Sequence, residues 1–267
     1  MVGSAEIPTN HLKRALLEGR SQIGLWCALS SHITAEVLAG SGFDWMCLDT
    51  EHSPAELTMV HNQLQAMTGG TAAAVVRPAW NDAVLFKRLL DIGVQNFVVP
   101  WVQNPAEAAR AVAATRYPPE GTRGVAVTIR ANRYGRVKDY FKRVHDELCV
   151  IVQLETREAL GNLEAIAAVD GVDGLFIGPS DLAADMGHLG NNAHPDVRAT
   201  IDDAIRRIRK AGRFAGILAP VEADARHWLE IGCQFVAVGS DTGILARTSE
   251  ALAARFADAR QLRVPKE

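Results

Sequence analysis

Lysine is scarce in this 267-residue chain: Lys13, Lys87, Lys138, Lys142, Lys210 and Lys266 are all there are. None stands at the C-terminal end of a segment that reads as a strand, where a Schiff-base enzyme would need a desolvated amine. Runs of basic residues are also missing, and the formal net charge is -3, so a nucleic-acid partner is not expected. Apolar runs stay at strand length, 97–102 being typical; a bilayer span needs ~20 residues, so no membrane partner is expected. The opening MVGSAEIPTN carries neither the basic segment nor the apolar stretch of a secretory signal, which predicts a cytoplasmic protein. Four cysteines occur, in LWCAL, WMCLD, LCVIV and GCQFV, with no CxxC pair. That pattern predicts small buried hydrophobes in a reducing compartment, without a disulfide framework or a zinc knuckle. Neither GxGxxG nor GxxxxGK[ST] follows any apolar run, so no nucleotide cofactor is expected.

What the chain does contain is regular alternation. Hydrophobic residues make up 48% and charged residues 22%, enough for a substantial core. Short apolar runs at 23–28, 45–49, 73–77, 96–100, 148–155, 174–177, 214–218 and 235–239 read as strands. Helical periodicity follows each, at 33–39, 55–67, 82–92, 105–115, 157–168, 195–211, 221–231 and 241–257. A further helix at 12–18, with Asn10 as its cap, precedes the first strand. Gly40, Gly93, Gly212 and Gly232 stand at helix exits, where a left-handed residue ends the helix. Strands linked by helices form parallel sheets, and eight such units predict a closed (β/α)8 TIM barrel in one domain, with an additional N-terminal helix. The expected barrel spans 11–258, between a flexible tail at 1–10 and a C-terminal tail at 259–267. One irregular stretch, 117–136, carries Pro118, Pro119, Gly121, Gly124 and Gly135 and reads as a long loop around a barrel end or a neighbouring subunit.

Barrel enzymes react at the C-terminal ends of their strands. Strand two ends in Asp49, followed by Thr50, Glu51 and His52; strand three ends in Arg77; strand five ends in Gln153 and Glu155; strand six runs into Gly178, Pro179, Ser180 and Asp181. Glu155 and Asp181 suit an octahedral divalent metal, leaving positions for water and substrate; each also suits helix capping. Arg77 can grip a carboxylate or an enolate oxygen, or pair structurally across the barrel mouth. His52 is the one histidine of the eight at a strand's C-terminal end, a natural acid or base. With no lysine available, a metal must polarise the substrate's keto group.

IGLWCALSS, GFDWMCLDTEHSP, VVRPAWND, TRYPPEGTRGV, CVIVQLETREAL, VDGLFIGPSDLAADMG and FVAVGSDTGILAR together resemble the HpcH/HpaI aldolase family, over about Leu12 to Ala257. The resemblance implies a class II, metal-dependent pyruvate aldolase of aromatic catabolism. Such an enzyme reversibly cleaves 4-hydroxy-2-oxoacids, such as 4-hydroxy-2-oxoheptanedioate, to pyruvate or hydroxypyruvate and an aldehyde. It implies Mg2+, Mn2+ or Co2+ on Glu155 and Asp181, and Arg77 stabilising the enolate. His52 moves the proton through water, with Asp49 beside both and Asp91 orienting the histidine across a subunit boundary. Gln153 lies near the pyruvate moiety, and the turn Gly178, Pro179, Ser180 binds its carboxylate. A hexamer, a trimer of dimers, is implied as well. Thr50 replaces a common Gly, Ser180 a common Ala, and 126–136 diverges, which leaves the aldehyde open. Three alternatives remain: a lyase for CoA thioesters, a rhamnonate- or glucarate-type sugar-acid aldolase, and a non-catalytic metabolite-binding barrel.

Overall fold

Inward-facing positions alternate along each strand of a closed parallel barrel, and this parity places the site. The computed structural model describes residues 6–259; residues 1–5 and 260–267, parts of the two expected tails, lie outside them. Eight strands close in sequence order: β1 Gln22–Cys27, β2 Trp45–Asp49, β3 Ala73–Arg77, β4 Asn96–Val99, β5 Cys149–Leu154, β6 Gly174–Ile177, β7 Phe214–Leu218 and β8 Phe235–Ser240. All eight expected strands are present, with ends shifted by a residue or two. Trp26, Trp45, Cys47, Val75, Ile151, Phe176, Phe214 and Phe235 fill the interior, a packed core with no pore. Trp45 stacks on Phe235 with ring centroids 3.7 Å apart. Gly24 makes that possible: a Cβ there would stand 2.1 Å from the Trp45 ring.

The helices are α1 His11–Leu17, α2 His32–Ala39, α3 Leu57–Ala66, α4 Ala83–Asp91, α5 Pro105–Thr115 and α6 Tyr140–Arg143, then α7 Arg157–Gly161, α8 Leu163–Ala167, α9 Pro179–Asp185, α10 Pro195–Lys210, α11 Glu222–Glu230 and α12 Asp241–Ala254. The additional N-terminal helix α1 plugs the barrel at the start of the strands. Leu12 and Leu16 join the interior cluster, and Asn10 donates from Nδ2 to Asn96 Oδ1 at 2.7 Å. The chain is already packed before α1, within the stretch expected as flexible tail: Ile7 is buried, and the Pro8 carbonyl accepts from Gln95.

Three helical segments depart from expectation, one of them the short α6, which no expected helix covers. The segment expected as one helix over 157–168 breaks at Asn162, whose backbone leaves the helical region (φ -99°, ψ 7°). Asn162 Nδ2 donates instead to Gln103 O at 2.9 Å, and Gly161 beside it is a weak helix former. Conversely, 179–185 forms a helix that the sequence reading left as a turn. Pro179 at its first position and Asp181 in its first turn are the local reasons. The 117–136 loop lies between α5 and β5, at the barrel end opposite the strands' C-termini. There Arg123 is fully buried, 4.4 Å from the Tyr117 ring centroid and paired to Asp91 at 3.0 Å. All four cysteines are free and buried, and burial drives the Cys233 thiol up to about 12. No helix among the described residues is long and apolar enough to cross a membrane.

Candidate active site

In β2 the inward residues are Trp45 and Cys47, in β3 Val75, in β5 Cys149 and Ile151, and in β6 Phe176. Two residues further along each strand stand Asp49, Arg77, Gln153 and Gly178, and two beyond Gln153 stands Glu155. Strand alternation therefore turns all five toward the barrel axis at its C-terminal mouth. Asp49 and Arg77 are direct register partners across β2 and β3. They form a bidentate pair, Arg77 Nε to Asp49 Oδ1 at 2.9 Å and Nη2 to Oδ2 at 2.6 Å. Trp26 supports both partners. Its Nε1 donates to Asp49 Oδ2 at 3.2 Å, and its ring lies 4.8 Å from the guanidinium carbon.

The electrostatics follow from burial against pairing. Asp49 is 2% exposed and Arg77 8%. Burial by itself would raise the Asp49 carboxyl; the Arg77 hydrogen bonds and charge outweigh it and hold the group below the usual range. Burial likewise works against the Arg77 charge, and the Asp49 hydrogen bonds and charge more than restore it. The pair is therefore fully ionised at neutral pH.

Glu155 is 2% exposed, and its partners among the described residues are neutral. Its Oε1 accepts from the Trp101 backbone amide at 2.8 Å, and its Oε2 accepts from Gln153 Nε2. Burial, reinforced by the charges of Asp181 and Glu51, still lifts its pKa to about 7 against those two bonds. Glu155 does not cap the following helix: Thr156 does, accepting from the Ala159 amide. Asp181 is the third residue of α9, in its exposed first turn. Gly178 is needed where it stands, since a Cβ there would approach Glu155 Oε2 to 2.7 Å.

A cleft of about 170 Å³ gathers His52, Arg77, Gln153, Gly178, Pro179, Ser180 and Asp181, with Trp26, Phe176 and Leu218 as apolar walls. Seven of the sequence-based candidates thus line one cavity, with Asp49 and Glu155 directly behind it. His52 sits at the rim with its side chain 65% exposed, and its amide lies 3.4 Å from Asp49 Oδ1. Ser180 Oγ accepts from Asn192 Nδ2 at 3.0 Å. Asp91 is not in the cleft. It ends α4, on the side where the strands begin, and pairs with Arg123.

Two groups at the site are absent from the sequence-based candidates. Glu51 Oε2 lies 3.0 Å from Arg77 Nη1 and 3.9 Å from His52 Nε2. The Arg77 contact is an ion pair off the N–H axis, and the oxygen is buried with no hydrogen-bond partner. Burial, together with the Asp49 and Asp181 charges, lifts Glu51 to about 6 despite Arg77. Its place in the run Asp49, Thr50, Glu51, His52 was the available signal. The second is the Trp101 amide, aimed by a left-handed backbone (φ 55°) and by Val102 N donating to Gln153 O at 3.2 Å. Nothing in the local sequence encodes that conformation.

Burial and the charge of Asp181 thus lift both Glu51 and Glu155, and one Glu51 oxygen is orphaned. That arrangement fits a divalent cation, which would relieve both effects. An all-oxygen donor set suits a hard ion such as Mg2+ or Mn2+.

Comparison with known proteins places the chain in a family. A pyruvate aldolase of Rhizobium etli is 57% identical over 252 residues, covering 94% of this chain and 99% of the relative. A 4-hydroxy-2-oxo-heptane-1,7-dioate aldolase of Shigella flexneri is 53% identical over 97% of both chains. The crystal structure of an HpcH/HpaI aldolase/citrate lyase family protein from Burkholderia cenocepacia superimposes with a TM-score of 0.90 at 38% identity, over 93% of this chain and 99% of that one. The family model for HpcH/HpaI aldolase/citrate lyase matches residues 22–248, and the chain belongs to that family.

Proposed function

We propose that the chain is a metal-dependent pyruvate aldolase. It reversibly cleaves 4-hydroxy-2-oxoacids, such as 4-hydroxy-2-oxoheptanedioate, to pyruvate or hydroxypyruvate plus an aldehyde through an enolate. The observation that carries this reading is the bidentate Asp49–Arg77 pair set beside the buried acid Glu155 at one cleft with Asp181.

Glu155 and Asp181 are the residues to hold the metal. When bound, Mg2+, Mn2+ or Co2+ supplies a Lewis acid that polarises the keto group. Gln153 and the first-turn amides of α9, which lack intrahelical partners, orient the substrate carboxylate. Of Arg77's five N–H donors, Asp49 takes two and Glu51 stands beside Nη1; the guanidinium edge that lines the cleft serves the oxygen that becomes negative in the enolate. Because Arg77 is already fixed and desolvated, this stabilisation needs little reorganisation. His52 takes the proton of the 4-hydroxyl through water as the C3–C4 bond breaks, and a proton returns to C3 of the enolate. Its exposed position at the rim suits transfer through water. Glu51 steadies the Arg77 and His52 ends of the site. No lysine among the described residues lines the cleft, which supports metal activation over an imine.

The protein acts in the cytoplasm as a homo-oligomer, a hexamer built as a trimer of dimers. In support, α12 buries only Asp241 and leaves Ile244, Leu245 and Leu252 exposed, as α2 leaves Ile33 and Val37. Apolar surface of this kind is usual at subunit contacts. Asp91 and His52 stand at opposite ends of one barrel, so Asp91 can orient a His52 only in a neighbouring copy.

The test is pyruvate release from 4-hydroxy-2-oxoheptanedioate, with EDTA and after restoring Mg2+, Mn2+ or Co2+. EDTA abolishes release and the metal restores it. Release that persists in EDTA removes the metal from the mechanism. Saturation by the free oxoacid, with no thioester present, separates this activity from that of a CoA lyase.

A further inference from the structure

Beside the cleft, the loop joining α9 to α10 gathers three donors that the aldolase reading does not use. The His188 and His194 rings stack with centroids 3.5 Å apart and an interplanar angle of 15°. Asp196, the second residue of α10, completes a group whose donor atoms all lie within 4.8 Å of one another. His194 Nδ1 accepts from the Asp196 amide at 3.2 Å and lies 3.8 Å from its Oδ2. That ring nitrogen thus already faces the start of α10, where Asp196 stands.

We propose that His188, His194 and Asp196 form a second cation site, for a late first-row divalent ion such as Zn2+. Two imidazole nitrogens and one carboxylate make a borderline donor set that such ions take and Mg2+ does not. Zn–N and Zn–O distances of about 2.0–2.2 Å put ligand atoms roughly 3.4 Å apart in a tetrahedron. The present spread closes by rotating partly exposed rings. The ion takes over the Nδ1 lone pair that the Asp196 amide now uses, and water fills the fourth position. Glu155 and Asp181 offer oxygen only, so the two sites of one chain differ in the ions they select. The second site also reaches the cleft wall. Asn192, in the same loop, donates to Ser180 Oγ at 3.0 Å, next to Asp181, so occupancy stiffens the segment that carries that acid.

The test titrates the intact protein with Zn2+ by calorimetry in excess Mg2+, and uses Cu2+ as a spin probe. The wild type binds one Zn2+ per chain. His188→Ala and His194→Ala each weaken that binding about tenfold or more, a loss of about 1.4 kcal/mol, while circular dichroism stays unchanged. His194→Gln guards against an effect of lost packing. Glu155→Gln, which alters only the oxygen-donor site, leaves Zn2+ binding intact. The Cu2+ electron paramagnetic resonance spectrum carries coupling to two imidazole nitrogens. Three results overturn the proposal: no Zn2+ uptake in excess Mg2+, equal uptake in wild type and both histidine variants, or uptake lost in Glu155→Gln alone. No readout involves aldol turnover, so failure here is distinct from failure of the aldolase reading.

Discussion

Arg77 and Asp49 show how one contact serves both stability and chemistry. Each is buried, and each has the other as its principal charge partner. Arg77→Ala therefore strands a desolvated carboxylate as well as removing the enolate donor. We expect turnover to fall by at least about 100-fold and urea unfolding to show a loss of about 3 kcal/mol. His52→Ala is expected to lose turnover with unfolding unchanged, because its side chain is mostly in solvent. Near wild-type kcat in either variant would remove the role given to that residue. Gly178 is the third case. Gly178→Ala pushes on Glu155 at 2.7 Å, and metal affinity measured by calorimetry should fall about 10- to 100-fold. An unchanged affinity would mean that Glu155 is not a ligand.

At the scale of the element, strand parity explains why site residues from four strands meet. A strand of period two that fills a barrel with Trp45 and Cys47 must turn Asp49 inward at its end. Helix α12 presents a different problem, since among the described residues Asp241 is the one side chain it buries. If it packs on a second copy, Leu245→Asp with Leu252→Asp should shift sedimentation to smaller species. Each buried leucine contributes about 1.5–3 kcal/mol. Far-ultraviolet circular dichroism of the variant should match wild type, and an unchanged mass would place the subunit contact elsewhere.

For the whole molecule, the raised carboxyls couple stability to pH and metal. Glu155 titrates near 4.5 when unfolded and at about 7 when folded. Above 4.5 the unfolded state therefore ionises first, and metal-free protein loses stability as pH rises, until about 7. Glu51, lifted to about 6, adds to the same slope over a narrower window. Glu155 alone is worth about 3 kcal/mol over that span. Urea midpoints in EDTA should be higher at about pH 5 than at about pH 7.5, and Mg2+ should erase the difference. Equal midpoints in EDTA would show that Glu155 is not desolvated as described.

Periodicity was enough to read eight βα units, because local alternation and helical spacing reflect which face each residue buries. The strand ends were legible too, so Asp49, Arg77, Gln153, Glu155 and Asp181 could be named from order alone. The sequence motifs also carried the family resemblance across nearly the whole chain. What the linear order could not encode was who meets whom. The helix break at Asn162 depends on Gln103, some sixty residues away in the chain. The Trp101 amide reaches Glu155 only because an adjacent strand holds a left-handed turn in place. Glu51 became a site residue through its depth beside Arg77, and Asp91 stands away from its own chain's cleft because α4 runs back to the far end of the barrel. Those outcomes depend on long-range packing, which sets distance, burial and charge together, and only the closed barrel decided them.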